Sequence, residues 1–363
     1  MENIGILKIN ELAEKTPSCI RFDKGSAKFP FPEEFLPSFS DLQREIQGKY
    51  FHYPKTGGED LLKEEILKLE KRNGRELSLD NICVTHGGMS GIFAFLNLYA
   101  KPGDEVLTNL RSFEGFGSVI TQLGIKQVRV DFENMAEVTS AVTARTKAIF
   151  FNSPENPTGK VYTKSVLMGL LKIARENDFY FVSDEVMSRI IYDGITWEGP
   201  DISAKQIAIS SFSKMFFIPG SRVGWVSASK EVAENFANYF SVLSIGVNLF
   251  SQYLLALVLK NINYDHFLAK KMSVLVSRRN LMGSLFNKFG LSYFQVPEGG
   301  MNYYVDLKKD SNSQCRKLLT EANIALIPGE LFEGRETTFA RVGFGAVSDS
   351  EIIRGVELLA RNI

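Results

Sequence analysis

Apolar runs of two different periods alternate along the middle of the chain. "KAIFFNSP" (147–154) is a short apolar run closed by turn residues, as a buried strand would be. "SVLMGLLKIARENDF" (165–179) follows, with Leu167, Leu170, Leu171 and Ala174 at helical spacing. "YFVSDEV" (180–186) and "QIAISSFSK" (206–214) are again strand-like, the second starting after the Gly-Pro turn near residue 199. Upstream, "NICVTHGGMSGIFAFLNLYAKPGDEVL" (81–107) reads as strand, glycine turn, helix, turn, strand. Downstream, "EGGMNYYVDL" (298–307) and "TFARVGFG" (338–345) are strand-like, and residues 311–327 between them give a helix and a short strand. Strand and helix in alternation predict an α/β fold with a mostly parallel sheet flanked by helices. We place this large domain at 41–268. A smaller α+β domain is assigned to 1–40 together with 269–363.

Ligands of such sheets bind outside the carboxyl ends of the strands. Asn156 lies just past one strand end, Asp184 at the next, and Ser211, Ser213 and Lys214 at a third. Five polar side chains therefore converge on one sheet edge. Gly87 and Gly88 sit where a helix begins, and backbone N–H groups at such a start suit an anion. In "SSFSKMFFIPGSRVGW" (210–225), Lys214 and Arg222 stand among aromatic and apolar neighbours. Cations of this kind are rarely buried without a partner.

Composition narrows the possibilities further. The 42 basic and 42 acidic residues cancel, so nothing points to nucleic acid or an anionic membrane as partner. Cys19, Cys83 and Cys315 lack metal or disulfide spacing, which fits a reduced, cytoplasmic setting and no bound metal. Only three histidines (His52, His86, His266) argue against a zinc site or a Ser-His-Asp triad. The opening "MENIGILKINELAEK" has no signal-peptide pattern, and "YLLALVL" (253–259) is too short to span a bilayer. "EKRNGRE" (70–76) reads as a solvated helix end and turn, and His86 as incidental.

The converging residues share one chemistry. A lysine amine forms Schiff bases with carbonyls. A buried carboxylate holds a proton on a pyridine nitrogen. Glycine amides, serine hydroxyls and an arginine cradle a phosphate. Pyridoxal 5'-phosphate asks for all of these together. The motifs "YPKTGG" (53–58), "THGGM" (85–89), "SPENPTG" (153–159), "SDEV" (183–186), "SFSK" (211–214) and "SRVGW" (221–225) occur in one order. In that order the chain resembles the class I/II aminotransferases, pyridoxal-phosphate enzymes of fold type I.

The resemblance implies roles. Lys214 would form the Schiff base and shuttle a proton, and Asp184 would pair with the ring nitrogen. Asn156 would donate to the ring's phenolic oxygen and Phe113 would stack on the ring. Ser211, Ser213, Arg222 and the backbone of Gly87, Gly88 and Met89 would hold the phosphate. Arg341 in "ARVGFG" would clamp the substrate's α-carboxylate, with Gly25 and Lys28 facing the ligand. Tyr53 would reach the phosphate of a neighbouring subunit, and Asn248 is a looser candidate for the same task. The implied reaction moves an amino group from an L-amino acid to a 2-oxo acid in a homodimer. A lyase, decarboxylating synthase or oxygen-using oxidase or hydroxylase on the same scaffold is the alternative. Two departures stand out: Met187 occupies a position where the family usually carries a donating tyrosine, and "RSFEGF" begins at Arg111 where proline is usual.

Overall fold

The computed structural model describes residues 5–30, 32–47 and 52–363. The first four positions of the N-terminal segment and Phe31 of the aromatic stretch 21–32 lie outside the described residues. Seven strands form the central sheet: β1 Ile82–Thr85, β2 Glu105–Asn109, β3 Lys126–Val130, β4 Thr146–Asn152, β5 Tyr180–Asp184, β6 Gln206–Ser211 and β7 Gly224–Ser227. Their spatial order is β1-β7-β6-β5-β4-β2-β3. Only β7 runs antiparallel to its neighbours β1 and β6. The other pairings are parallel.

Strand β4 shows why the runs are apolar throughout. Ala148 and Phe150 face one core, with Phe95, Ile207 and Phe236. Ile149 and Phe151 face the other, with Leu167, Leu170 and Phe181. Successive side chains point to opposite faces, so a strand covered on both sides must be apolar at every position. Helices Gly88–Tyr99 and Lys230–Ser244 cover the first face, and helix Lys164–Glu176 covers the second. Thr163 caps that last helix by accepting from the Val166 N–H.

A second, three-stranded antiparallel sheet contains β8 Asn302–Asp306, β9 Ile327–Pro328 and β10 Phe339–Gly343, in the order β9-β10-β8. Its core joins Tyr303, Val305 and Val342 to Leu275 and Met282 of the 26-residue helix Tyr264–Phe289 and to Leu359 of the last helix. The segment near Phe22 packs into the same core. That long helix changes company along its length. Tyr264 and Phe267 pack with Phe216 and Trp225 beneath the large sheet. From Leu275 onward the helix belongs to the smaller core.

The stretch 70–76 is a helix end and turn with Lys71, Arg72, Gly74 and Glu76 exposed, but two of its charges depart from expectation. Glu70 and Arg75 are buried, not solvated. Arg75 bridges Glu70 and Glu185, and Trp225 Nε1 donates to Glu70 at 2.7 Å. Sequence periodicity cannot show this, because Glu185 and Trp225, which complete the cluster, lie far away in the chain.

Candidate active site

The strand register brings the polar edge together. Asn152, the last residue of β4, pairs with Asp184, the last of β5, and Asp184 pairs with Ile209 of β6. The carboxyl ends of β4 and β5 are therefore level, and β6 runs two residues further to Ser211. Above them lies a cavity of about 280 Å³. Gly25, Gly88, Met89, Phe113, Asn156, Asp184, Ser211, Ser213, Lys214, Arg222 and Arg341 all line it. Gly87 borders it through Arg222: a Cβ on Gly87, where φ is +81°, would stand 2.8 Å from the Arg222 guanidinium. Tyr53 does not line this cavity and is 77% exposed. Asn248 caps helix Leu249–Asn261, its Oδ1 accepting from Ser251 N–H at 3.0 Å. Lys28 is exposed and borders a separate groove with Arg278 and Glu351.

Each polar group has a distinct environment. Asp184 is buried, and its carboxylate receives the backbone N–H of Val186 at 3.1 Å. Burial pushes its pKa up to about 7; the neighbouring Glu185 charge adds to this, and Val186 and Lys214 oppose it. Lys214 Nζ donates to the Gly25 carbonyl at 2.9 Å. Burial first, then the charges of Arg341 and Arg222, bring its amine down to about 8. Arg341 donates to the Asp23 carbonyl at 2.7 Å and to Asn156 Oδ1 at 3.3 Å, while its buried Nε has no partner. Burial lowers its pKa to about 10.

The opposite end is built for close backbone approach. Ser211 and Ser213 hydroxyls stand 2.8 Å apart. Arg222 adopts a left-handed conformation, φ 52°, and its Nη1 donates to the Pro219 carbonyl. Gly224 leaves no room for a side chain: a Cβ there would lie 2.6 Å from Ser210 O and 2.9 Å from Gly88 N. Phe113 precedes helix Glu114–Gln122 and meets Phe116 edge-on at 5.6 Å.

Several lining residues escape sequence reasoning. Ile6 arrives from the N-terminal helix, and Ile92, Asn152 and Val186 from elements whose apolar or turn character explains them without a site. Glu155 is fully enclosed, held by Asn109, Thr158 and Tyr162, although it sits inside a polar motif. The strand-end position of Asn152 is the one signal that could have revealed it.

The family model for aminotransferase class I and II matches residues 17–359. The chain belongs to this family. Aminotransferases of this class use pyridoxal 5'-phosphate, and this chain is a pyridoxal-phosphate-dependent aminotransferase acting on amino acids and oxo acids. It is 28% identical to the aspartate aminotransferase of Thermotoga maritima, covering 93% of this chain and 89% of that one. The Thermus thermophilus aspartate aminotransferase solved with maleate superposes with a TM-score of 0.90 at 26% identity, over 100% of this chain and 97% of that one. The aromatic aminotransferase of Pyrococcus horikoshii gives 0.87 at 25%, over 97% and 98%. The fold is thus that of fold-type-I enzymes. Among the described residues no helix is long and apolar enough to cross a membrane, and no group of acidic, histidine or cysteine side chains could hold a metal ion.

The residues present fit the cofactor. A buried carboxylate with one protein donor, an enclosed amine, two paired hydroxyls and a glycine-lined guanidinium all open on one cavity. Arg341 has an unpartnered buried N–H beside that group.

Proposed function

We propose that Lys214 is the catalytic amine of this aminotransferase and that Asp184 is the acid partner of the cofactor ring. When bound, the cofactor supplies an electron sink that stabilises negative charge at the substrate's α-carbon. Asp184, buried and carrying a raised pKa, would keep a proton at the ring nitrogen. Lys214, with its amine lowered to about 8, would both hold the cofactor and, when released, carry the α-proton. Ser211, Ser213, Arg222 and the amides of Gly87, Gly88 and Met89 would grip the phosphate, and Asn156 would orient the ring with Phe113 on its face. Arg341 would clamp the α-carboxylate in its bidentate fork, with Gly25 leaving room beside it: a Cβ there would stand 3.2 Å from Arg341 Nη1.

The carrying observation is the convergence of Lys214, Asp184 and Arg341 on one cavity. Its test is a half-reaction. Holoprotein given one amino acid and no oxo acid is expected to yield one oxo acid per site and the aminated cofactor. Product that accumulates beyond one per site while the cofactor spectrum returns would replace transamination by a lyase or oxidase reaction. Lys214→Ala is expected to show neither.

The same reading includes a homodimer in a cytoplasmic setting. Tyr53, Val242, Leu243 and Ile245 form an exposed apolar face. Pro54 meets Gly246, and His86 Nε2 lies 2.9 Å from Ser244 Oγ, so this face adjoins the Gly87 turn. Tyr53 of one protomer would there serve its partner's phosphate. The division at residue 268 belongs to this proposal too, supported by the change of core along helix Tyr264–Phe289.

A further inference from the structure

The cations on the cavity wall limit what the substrate can carry. Among the described residues that line it, the cations are Lys214, Arg222 and Arg341. On the reading above all three are engaged: one by the cofactor's carbon, one by its phosphate, one by the substrate's α-carboxylate. The wall otherwise offers neutral amides and hydroxyls, the Asp184 carboxylate and apolar side chains, among them Ile6, Met89, Ile92, Phe113, Val186 and Met187. A second carboxylate on the substrate would find no counter-charge there.

Among the described residues, the adjoining exposed face offers no free lysine or arginine either. Residues 239–259 contain no Asp, Glu, Lys, Arg or His. Lys55, two positions from Tyr53, is ion-paired with Asp60. His86 is held toward its neutral form by burial. Residues 239–259 of a second copy laid over the cavity would bring apolar and neutral polar surface, not a cation.

We propose that the substrate's side chain is apolar, and that this chain discriminates against the dicarboxylic amino acids for which its Thermotoga and Thermus relatives are named. An ionised group buried without a partner is strongly disfavoured. The two thioethers of Met89 and Met187 can reshape around aliphatic or aromatic groups. The inference rests on the site reading above, since it needs the three cations in their assigned tasks.

The test separates binding from chemistry. Holoprotein is titrated by calorimetry with unreactive acids: maleate as the dicarboxylate, 4-methylpentanoate and 3-phenylpropionate as apolar monocarboxylates. Half-reactions with leucine, phenylalanine, aspartate and glutamate are run in parallel. At least one apolar acid is expected to bind about 100-fold more tightly than maleate, with the amino acids in the same order of kcat/KM. Arg341→Gln is expected to weaken every acid alike. Maleate binding as well as the apolar acids, or aspartate reacting as fast as leucine and phenylalanine, overturns the proposal. If apolar acids win but no amino acid gives stoichiometric oxo acid, the specificity holds and the lysine-centred transamination reading falls.

Discussion

Lys214 illustrates how a side chain's surroundings become reactivity. An amine attacks an aldehyde only when neutral, and an ordinary lysine is almost wholly protonated at neutral pH. Enclosure, with Arg341 and Arg222 nearby, brings this amine to about 8. Below that value the protonated form dominates. The rate at which cofactor-free protein captures pyridoxal phosphate is therefore expected to rise about tenfold per pH unit up to pH 8 and to level off above it. Arg341→Gln removes a neighbouring positive charge and should move the midpoint upward. Stopped-flow absorbance across pH reads both; a midpoint at or above 10 would mean the amine is solvated. At this scale the sequence is readable where chemistry is unusual. Lysine, aspartate and arginine among apolar neighbours demand a partner. Ile6 and Ile92 make no such demand, because an isoleucine lining a cavity looks in sequence like one in a core.

Among the elements, the apolar runs at 147–154, 180–186 and 206–214 are legible because a two-faced strand has no polar position to spare. The N-terminal helix Ile6–Lys15 and the helix Leu36–Ile46 are not singled out by the same reasoning. The helix end at 70–76 is where local reading fails. A charged run after a helix is normally solvated, yet here Glu70, Arg75 and Glu185 close a buried cluster directly behind Asp184. Burial pushes the Glu185 carboxyl up and Arg75 holds it down. Arg75→Met would leave two carboxylates enclosed without a cation, and we expect a loss of about 3–5 kcal/mol in urea unfolding. The deficit should shrink as pH falls, since a protonated carboxyl no longer needs its partner. Glu70→Gln should cost less, because Arg75 keeps Glu185. A loss below about 1 kcal/mol for Arg75→Met would show that water reaches the cluster.

For the whole molecule, the exposed apolar face and the Gly87 turn are neighbours, so the proposed assembly would bear on cofactor retention. Val242 is 90% exposed and Tyr53 77%, and burying such surface gives about 25 cal/mol for each Å². Exposed apolar side chains grouped in this way mark an interaction surface, and two-fold symmetry lets one face serve both partners. Val242→Asp combined with Leu243→Asp puts like charges opposite one another across such a contact. Sedimentation should then shift from dimer to monomer. On the proposed dimer the monomer should also lose pyridoxal phosphate on dialysis, because Tyr53 of the second protomer would no longer reach the Gly87 turn. Tyr53→Ala should weaken cofactor retention while leaving the dimer intact, which separates the two effects. The alternative is a site complete within one chain. It predicts a charged variant that sediments as a monomer yet keeps its cofactor and full turnover, and that result would detach the apolar face from catalysis.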